Sequence, residues 1–261
     1  MPEIFEGPEF ENNRNKWLKN EVILYDGEIS ARKEYEYDAD GRKILERSSI
    51  GSTENPEGFQ ETKFKYDEFG RLVTKATRQE EEQGGFDLVD ETTYRYNDDN
   101  RLIEQHERST NVIGLNDVHD PQMRYFHYDD KNRLIKEVEL RIDQFEFDTH
   151  LSEESVYEYA EDGTYEKTST DPLGKSVTKY DAEGQKVLYE NYDRDGKLKY
   201  QTKYTYENGL PVKAEMVHPE TGEVMNEKQY EYDERRNLTR VETKYRDGKT
   251  SVEERRLEYF E

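Results

Sequence analysis

The stretch Tyr66-Asp67-Glu68-Phe69-Gly70-Arg71-Leu72 decides the fold. Phe64 and Tyr66 alternate with charged residues before it, and Leu72-Val73-Thr74 leads away, the pattern of strand, tight turn, strand. The pattern returns as Tyr35-Glu36-Tyr37-Asp38-Ala39-Asp40-Gly41-Arg42, as Tyr94-Arg95-Tyr96-Asn97-Asp98-Asp99-Asn100-Arg101-Leu102 and as Phe126-His127-Tyr128-Asp129-Asp130-Lys131-Asn132-Arg133-Leu134. Further copies begin at Tyr157, Tyr180, Tyr204 and Tyr230.

Backbone chemistry explains the turn residues. A four-residue connection built on a type I turn needs one residue in the left-handed region to rejoin the ladder. Gly41, Gly70, Gly163, Gly184 and Gly196 stand at that position, and Asn100 and Asn132 replace glycine in two copies. Asp38, Asp67, Asp129, Asp181 and Asp193 are placed to accept bonds from the turn amides. Arg236 fills the glycine position in the last strong copy, with Asn237 next, which predicts a shifted turn there.

Composition bounds the answer. Hydrophobic residues are 31% and charged residues 39%, so a thick aliphatic core is not available. The 21 Tyr and 10 Phe recur in register with the turns, which predicts a thin sheet with an aromatic core, each tyrosine burying its ring and keeping its hydroxyl wet. There is no cysteine, hence no disulfide framework or thiol chemistry. The start, Met1-Pro2-Glu3-Ile4-Phe5-Glu6, has neither the basic nor the apolar segment of a signal peptide, and no apolar run reaches membrane length. The expectation is a cytoplasmic protein. A formal charge of −23 repels nucleic acid and anionic membrane and favours a basic protein as partner. The same charge also serves to keep a sheet with exposed edges soluble.

Residues 1–20 read as an irregular N-terminal cap, with Trp17 closing an open sheet end, and 21–261 as one β-hairpin repeat domain. Val22-Ile23-Leu24-Tyr25-Asp26-Gly27 reads as a degenerate first hairpin. From Tyr37 through Tyr66, Tyr96 and Tyr128 to Tyr159 the repeat is about thirty residues long, the mark of an array. After Tyr159 the spacing tightens, and Asp171-Pro172-Leu173-Gly174 suggests a subdomain change near 165–175 within one continuous sheet. No window supports a helix. The fold class is therefore all-β: stacked antiparallel hairpins in an elongated, twisted meander, whose free edges leave an edge-to-edge homodimer open. Short turns fall along one edge and the longer connections, near 48–60, 79–91, 109–122 and 143–154, along the other. These connections are acidic and variable, and such loops on a rigid scaffold carry recognition. The candidate partner-binding residues are Glu80, Glu81, Glu82, Asp87, Asp117, Asp120, Asp143, Glu146 and Asp148.

The units resemble the RHS (YD) repeat family, whose signature is a Tyr-Asp pair, a short turn, Gly, then Arg-Leu, as in Tyr66-Asp67-Glu68-Phe69-Gly70-Arg71-Leu72. The tighter second part, as in Tyr192-Asp193-Arg194-Asp195-Gly196-Lys197-Leu198, is similar to the MORN-variant repeats of YwqK-type antitoxins. The resemblance implies stacked β-hairpins. Large RHS proteins wrap a toxin in a shell that this chain is too short to build alone. For a small acidic chain of such repeats, the resemblance implies a binding protein of the immunity or antitoxin type, acting on a basic toxin domain.

Catalytic signatures are lacking. With 62 carboxylates, spacing cannot single out a catalytic pair. His106, His119, His127, His150 and His218 show no zinc spacing, and the Asp-x-Asp-Gly segments lack the remaining ligands of a calcium loop. No phosphate loop, dinucleotide fingerprint or nucleophile elbow is present. The reading is no enzyme, no cofactor and no metal. Tyr35 with Tyr37, Tyr94 with Tyr96 and Tyr230 with Tyr232 share strand faces. They read as core, and as a sugar-stacking platform in the alternative of a carbohydrate-binding or structural spacer module of a cell-surface RHS-like system.

Overall fold

A computed structural model describes residues 18–51, 56–80, 86–109, 121–142 and 149–259. All regular structure in these residues is β. The strands are β1 (Leu18–Tyr25), β2 (Glu28–Tyr37), β3 (Lys43–Gly51), β4 (Pro56–Tyr66), β5 (Leu72–Glu80) and β6 (Phe86–Tyr96). Next come β7 (Leu102–Ser109), β8 (Gln122–Tyr128), β9 (Leu134–Ile142), β10 (Thr149–Tyr159), β11 (Tyr165–Asp171) and β12 (Gly174–Tyr180). The last six are β13 (Lys186–Asp193), β14 (Leu198–Glu207), β15 (Leu210–Val217), β16 (Val224–Tyr232), β17 (Leu238–Tyr245) and β18 (Thr250–Tyr259).

They form one 18-stranded sheet. β1 pairs antiparallel with β2 on one side and with β18 on the other, so in its pairing the sheet is a closed antiparallel barrel. This corrects the expectation of an open, elongated meander. Among the described residues closure leaves no unpaired edge strand. Local repeats determine the hairpins but not the pairing of the first strand with the last, a contact between the two ends of the chain. Contacts cluster into two compact units, Met1–Glu91 with Gln229–Thr243 and Thr250–Glu261, and Thr92–Lys228 with Lys244–Lys249.

The repeat turn has the expected chemistry. The Gly41 amide donates to the Asp38 carbonyl at 2.9 Å and the Asp38 amide to the Arg42 carbonyl at 2.9 Å. The Asp38 carboxylate accepts from the Arg42 amide at 2.9 Å and from Arg42 Nε at 2.7 Å. The amide and guanidinium of Arg42 hold the Asp38 carboxyl below the usual carboxylate range. Asp67 with Arg71 and Asp129 with Arg133 repeat the arrangement. Asn100 and Asn132 take φ of 66° and 60°. Arg236 corrects the expectation of a shifted turn. It sits at φ 68°, its amide donates to the Asp233 carbonyl at 2.9 Å, and the Asn237 amide reaches the Asp233 carboxylate at 2.8 Å. The bonds made by Asp233 outweigh the ~1 kcal/mol that a non-glycine residue pays in that conformation.

One face of the sheet is tyrosine-rich and covered. In β2, Ile29, Ala31, Lys33, Tyr35 and Tyr37 alternate with exposed Glu28, Ser30, Arg32, Glu34 and Glu36. Four of the tyrosines that precede turns do not keep their hydroxyls in water. Tyr66 donates to the Lys43 carbonyl at 2.8 Å, Tyr128 to Leu102 at 2.9 Å, Tyr159 to Leu134 at 2.9 Å and Tyr206 to Lys186 at 3.1 Å. Each bond ties one repeat to the turn of the preceding hairpin, at about 1 kcal/mol apiece. The opposite face is built of ion pairs. Arg47 bridges Glu36 at 2.9 Å and Glu61 at 3.2 Å in the first unit, and Lys213 bridges Glu215 and Glu227 at 2.9 Å in the second.

Candidate functional site

The long acidic connections, where recognition was expected, fall mostly outside the described residues. Glu81, Glu82, Asp117, Asp120, Asp143, Glu146 and Asp148 lie there. Glu80 is exposed at the end of β5, and Asp87 belongs to β6.

The acid that the structure does place is on the short turns. The first carboxylate of the turns at Asp38, Asp67, Asp129, Asp181, Asp193 and Asp233 is engaged by its own backbone, and further acids stand at the turn tips. In the second unit the connections β6–β7, β8–β9, β10–β11, β12–β13 and β14–β15 present Asp98 and Asp99, Asp130, Glu161, Glu183 and Glu207, all exposed. These turns all leave even-numbered strands, so they fall on the same edge. Successive tips are two strands apart, about 10 Å at ordinary strand spacing. The first unit presents Asp40, Glu68 and Glu234 in the same way, Asp40 bonded to Arg42 at 2.9 Å. A sequence signal for this row exists: the copies at Asp38, Asp67, Asn97, Asp129, Asp181 and Asp233 each carry a second acid one or two residues further on.

The tyrosine face holds a second set of polar groups. In the first unit Lys43 Nζ lies 5.3 Å from the Tyr35 ring centre and 4.9 Å from that of Phe64. Its counter-ion is Glu46 at 3.0 Å, which also faces Lys33 at 3.5 Å. Burial opposes ionisation of Glu46, but Lys43 and Lys33 overcome it and keep the carboxyl low. Tyr35, 5% exposed, donates to Glu21 at 2.7 Å, and burial and that carboxylate push its phenol up.

In the second unit Tyr157 donates to Glu137 at 2.9 Å and Lys167 to the other oxygen of Glu137 at 3.1 Å. Tyr165 stacks on Tyr180 at 4.3 Å. Lys186 stands 4.7 Å from the ring centre of Tyr189 and 5.1 Å from that of Tyr204. Burial, and then the charge of Lys167, bring its ammonium down to about 8. Of the paired tyrosines, Tyr35 and Tyr230 are buried, and Tyr37, Tyr94, Tyr96 and Tyr232 are half-buried. Among the described residues no three His, Asp or Glu side chains are grouped as metal ligands.

A family model described as "Uncharacterised protein" matches residues 125–261. The chain belongs to that family. No curated protein matches it. Among solved structures it is similar to a porin-like protein from Bacteroides uniformis, at 10% identity and a TM-score of 0.44, over 92% of this chain and 98% of that one. A porin-like protein from Bacteroides vulgatus is similar at 14% identity and a TM-score of 0.37, over 94% and 99%. TcdB2-TccC3 is similar at 14% identity and a TM-score of 0.37, over 88% of this chain and 15% of that one.

Proposed function

We propose that this protein binds another protein without catalysis, and that its partner is a basic domain, in an immunity or antitoxin role towards a toxin. The observation that carries the reading is the row of exposed tip carboxylates in the second unit, Asp98, Asp99, Asp130, Glu161, Glu183 and Glu207. A regular line of like charges at the edge of a rigid sheet accelerates encounter with a cation-rich surface and repels polyanions. The net charge of −23 and the resemblance of the turns to RHS (YD) repeats support the same reading.

The test is capture from the native cell lysate at low and high salt, with wild type beside Asp98→Lys/Asp130→Lys/Glu183→Lys. One stoichiometric basic protein, released by salt and not retained by the variant, is the expected result. A partner held equally by both proteins, or no partner at all, would refute the proposal.

A further inference from the structure

We propose that Lys186 is a covalent capture site for small carbonyl compounds, an aldehyde or ketone that its amine takes up as an imine. The site is independent of the protein-binding reading and uses the tyrosine face of the sheet, not the row of turn tips.

The argument begins with position. Two residues after the left-handed turn residue the repeats place Leu72, Leu102, Leu134, Leu198 and Leu238, or Tyr165. Only the turns at Gly41 and Gly184 place lysine there, as Lys43 and Lys186. A lysine at a leucine position carries its amine onto the covered tyrosine face and needs a counter-ion if it is to stay charged. Lys43 has one three residues on, in Glu46. The corresponding residue after Lys186 is Tyr189, and no described carboxylate pairs with this amine.

The groups that face Lys186 are Tyr180 from β12, Tyr189 on its own strand, Tyr204 and Tyr206 from β14, and Lys167 from β11. Of the carboxylates that act on this set, Glu137 on β9 is occupied by Lys167 and Tyr157, and Asp181 accepts from the Gln185 amide. Lys186 is thus surrounded by phenols and a second cation, and its side chain is partly accessible. This environment favours the neutral amine, the form that attacks a carbonyl. In the reaction the nitrogen lone pair forms the C–N bond and the carbonyl π pair moves to oxygen. The two amine hydrogens leave with that oxygen as water, and the imine remains. No oxidant or further reactant enters. The rings of Tyr189 and Tyr204 flank the new bond, so the site suits a small and flat or aliphatic carbonyl compound.

The experiment is competitive reductive ethylation of the full chain with limiting acetaldehyde and cyanoborohydride, read at each lysine by peptide mass across the pH range around neutrality. Lys199 and Lys203, exposed on β14, are the internal references. The expected result is that Lys186 reacts about tenfold faster than either at about pH 7.5, with a rate that levels off above about pH 8. Tyr189→Glu, which restores the acid found beside Lys43, should bring Lys186 to the reference rate, and Lys186→Arg should remove the fast site alone. Equal or slower labelling of Lys186 in the wild type would overturn the proposal, as would fast labelling that persists in folded Tyr189→Glu. The wild-type ratio and its pH profile decide the matter even if the variant does not fold.

Discussion

The hairpin of Lys43 and the hairpin of Lys186 are two castings of one unit. Tyr37-Asp38-Ala39-Asp40-Gly41-Arg42-Lys43-Ile44-Leu45-Glu46 runs residue for residue beside Tyr180-Asp181-Ala182-Glu183-Gly184-Gln185-Lys186-Val187-Leu188-Tyr189. Both turns close through the same backbone bonds, and both lysine carbonyls accept a tyrosine hydroxyl from the strand beyond, Tyr66 at 2.8 Å and Tyr206 at 3.1 Å. Both amines rest on two aromatic rings. Of the four positions at which the two stretches differ, the one beside the amine is Glu46 against Tyr189, a carboxylate against a phenol. The first lysine is therefore half of an ion pair, and the second is a covered base whose ammonium falls to about 8. Backbone geometry and charge state are separable in this fold.

Removing Glu46 should have the largest effect. Glu46→Ala leaves Lys43 and Lys33 facing each other on a covered surface, and a loss of about 3 kcal/mol is expected in urea unfolding. A loss near zero would mean that the two lysines reach water and that the pair is not structural.

The shared bond comes next. Tyr66→Phe and Tyr206→Phe should each cost about 1 kcal/mol, because each leaves one lysine carbonyl without its donor. Equal losses in the two hairpins would sharpen the comparison, since they assign the bond to the repeat and not to the lysine.

The lysines themselves should respond with opposite signs. Lys43→Met should destabilise the protein by stranding Glu46. Lys186→Met should stabilise it by about 1 kcal/mol near neutral pH, because a charge held without a counter-ion is replaced by an apolar chain of similar length. Chemical denaturation of both variants checks this.

The pH dependence of stability follows from the same lysine. Lys186 has its folded value lowered to about 8 from 10.5, so between these limits the unfolded chain binds the proton that the folded chain has released. Stability should therefore rise by about 2 kcal/mol from about pH 8 to 10. Above about pH 10 the sign reverses, because Tyr35 and Tyr157 are pushed up by burial and by Glu21 and Glu137, and only the unfolded chain loses those protons. Lys186→Met should flatten the rise and leave the fall.

Much of the fold was legible because it is local. The Tyr-Asp pairs, the glycine or asparagine three residues on and the alternation before them define turns and strand faces, and these came out as read. Arg236 did not, because a glycine rule written as a residue type misses that Asp233 holds the same turn through its carboxylate. Closure through β1 and β18 could not be read either, since it joins residues such as Glu21 and Leu257 that no short motif connects. The candidate sites were hidden for a related reason. The tip acids Asp130 and Glu183 looked like ordinary turn residues, and Lys186 becomes unusual only when its repeat is set beside that of Lys43.

A pH titration of the Lys186 ammonium by NMR, with nitrogen-labelled lysine and Lys186→Arg for assignment, tests the central difference most directly. A midpoint near 8 in the wild type, moved to the ordinary lysine range by Tyr189→Glu, is what this account requires. A Lys186 that titrates in the ordinary range with Tyr189 in place would contradict it, and would make the two hairpins equivalent in charge as well as in shape.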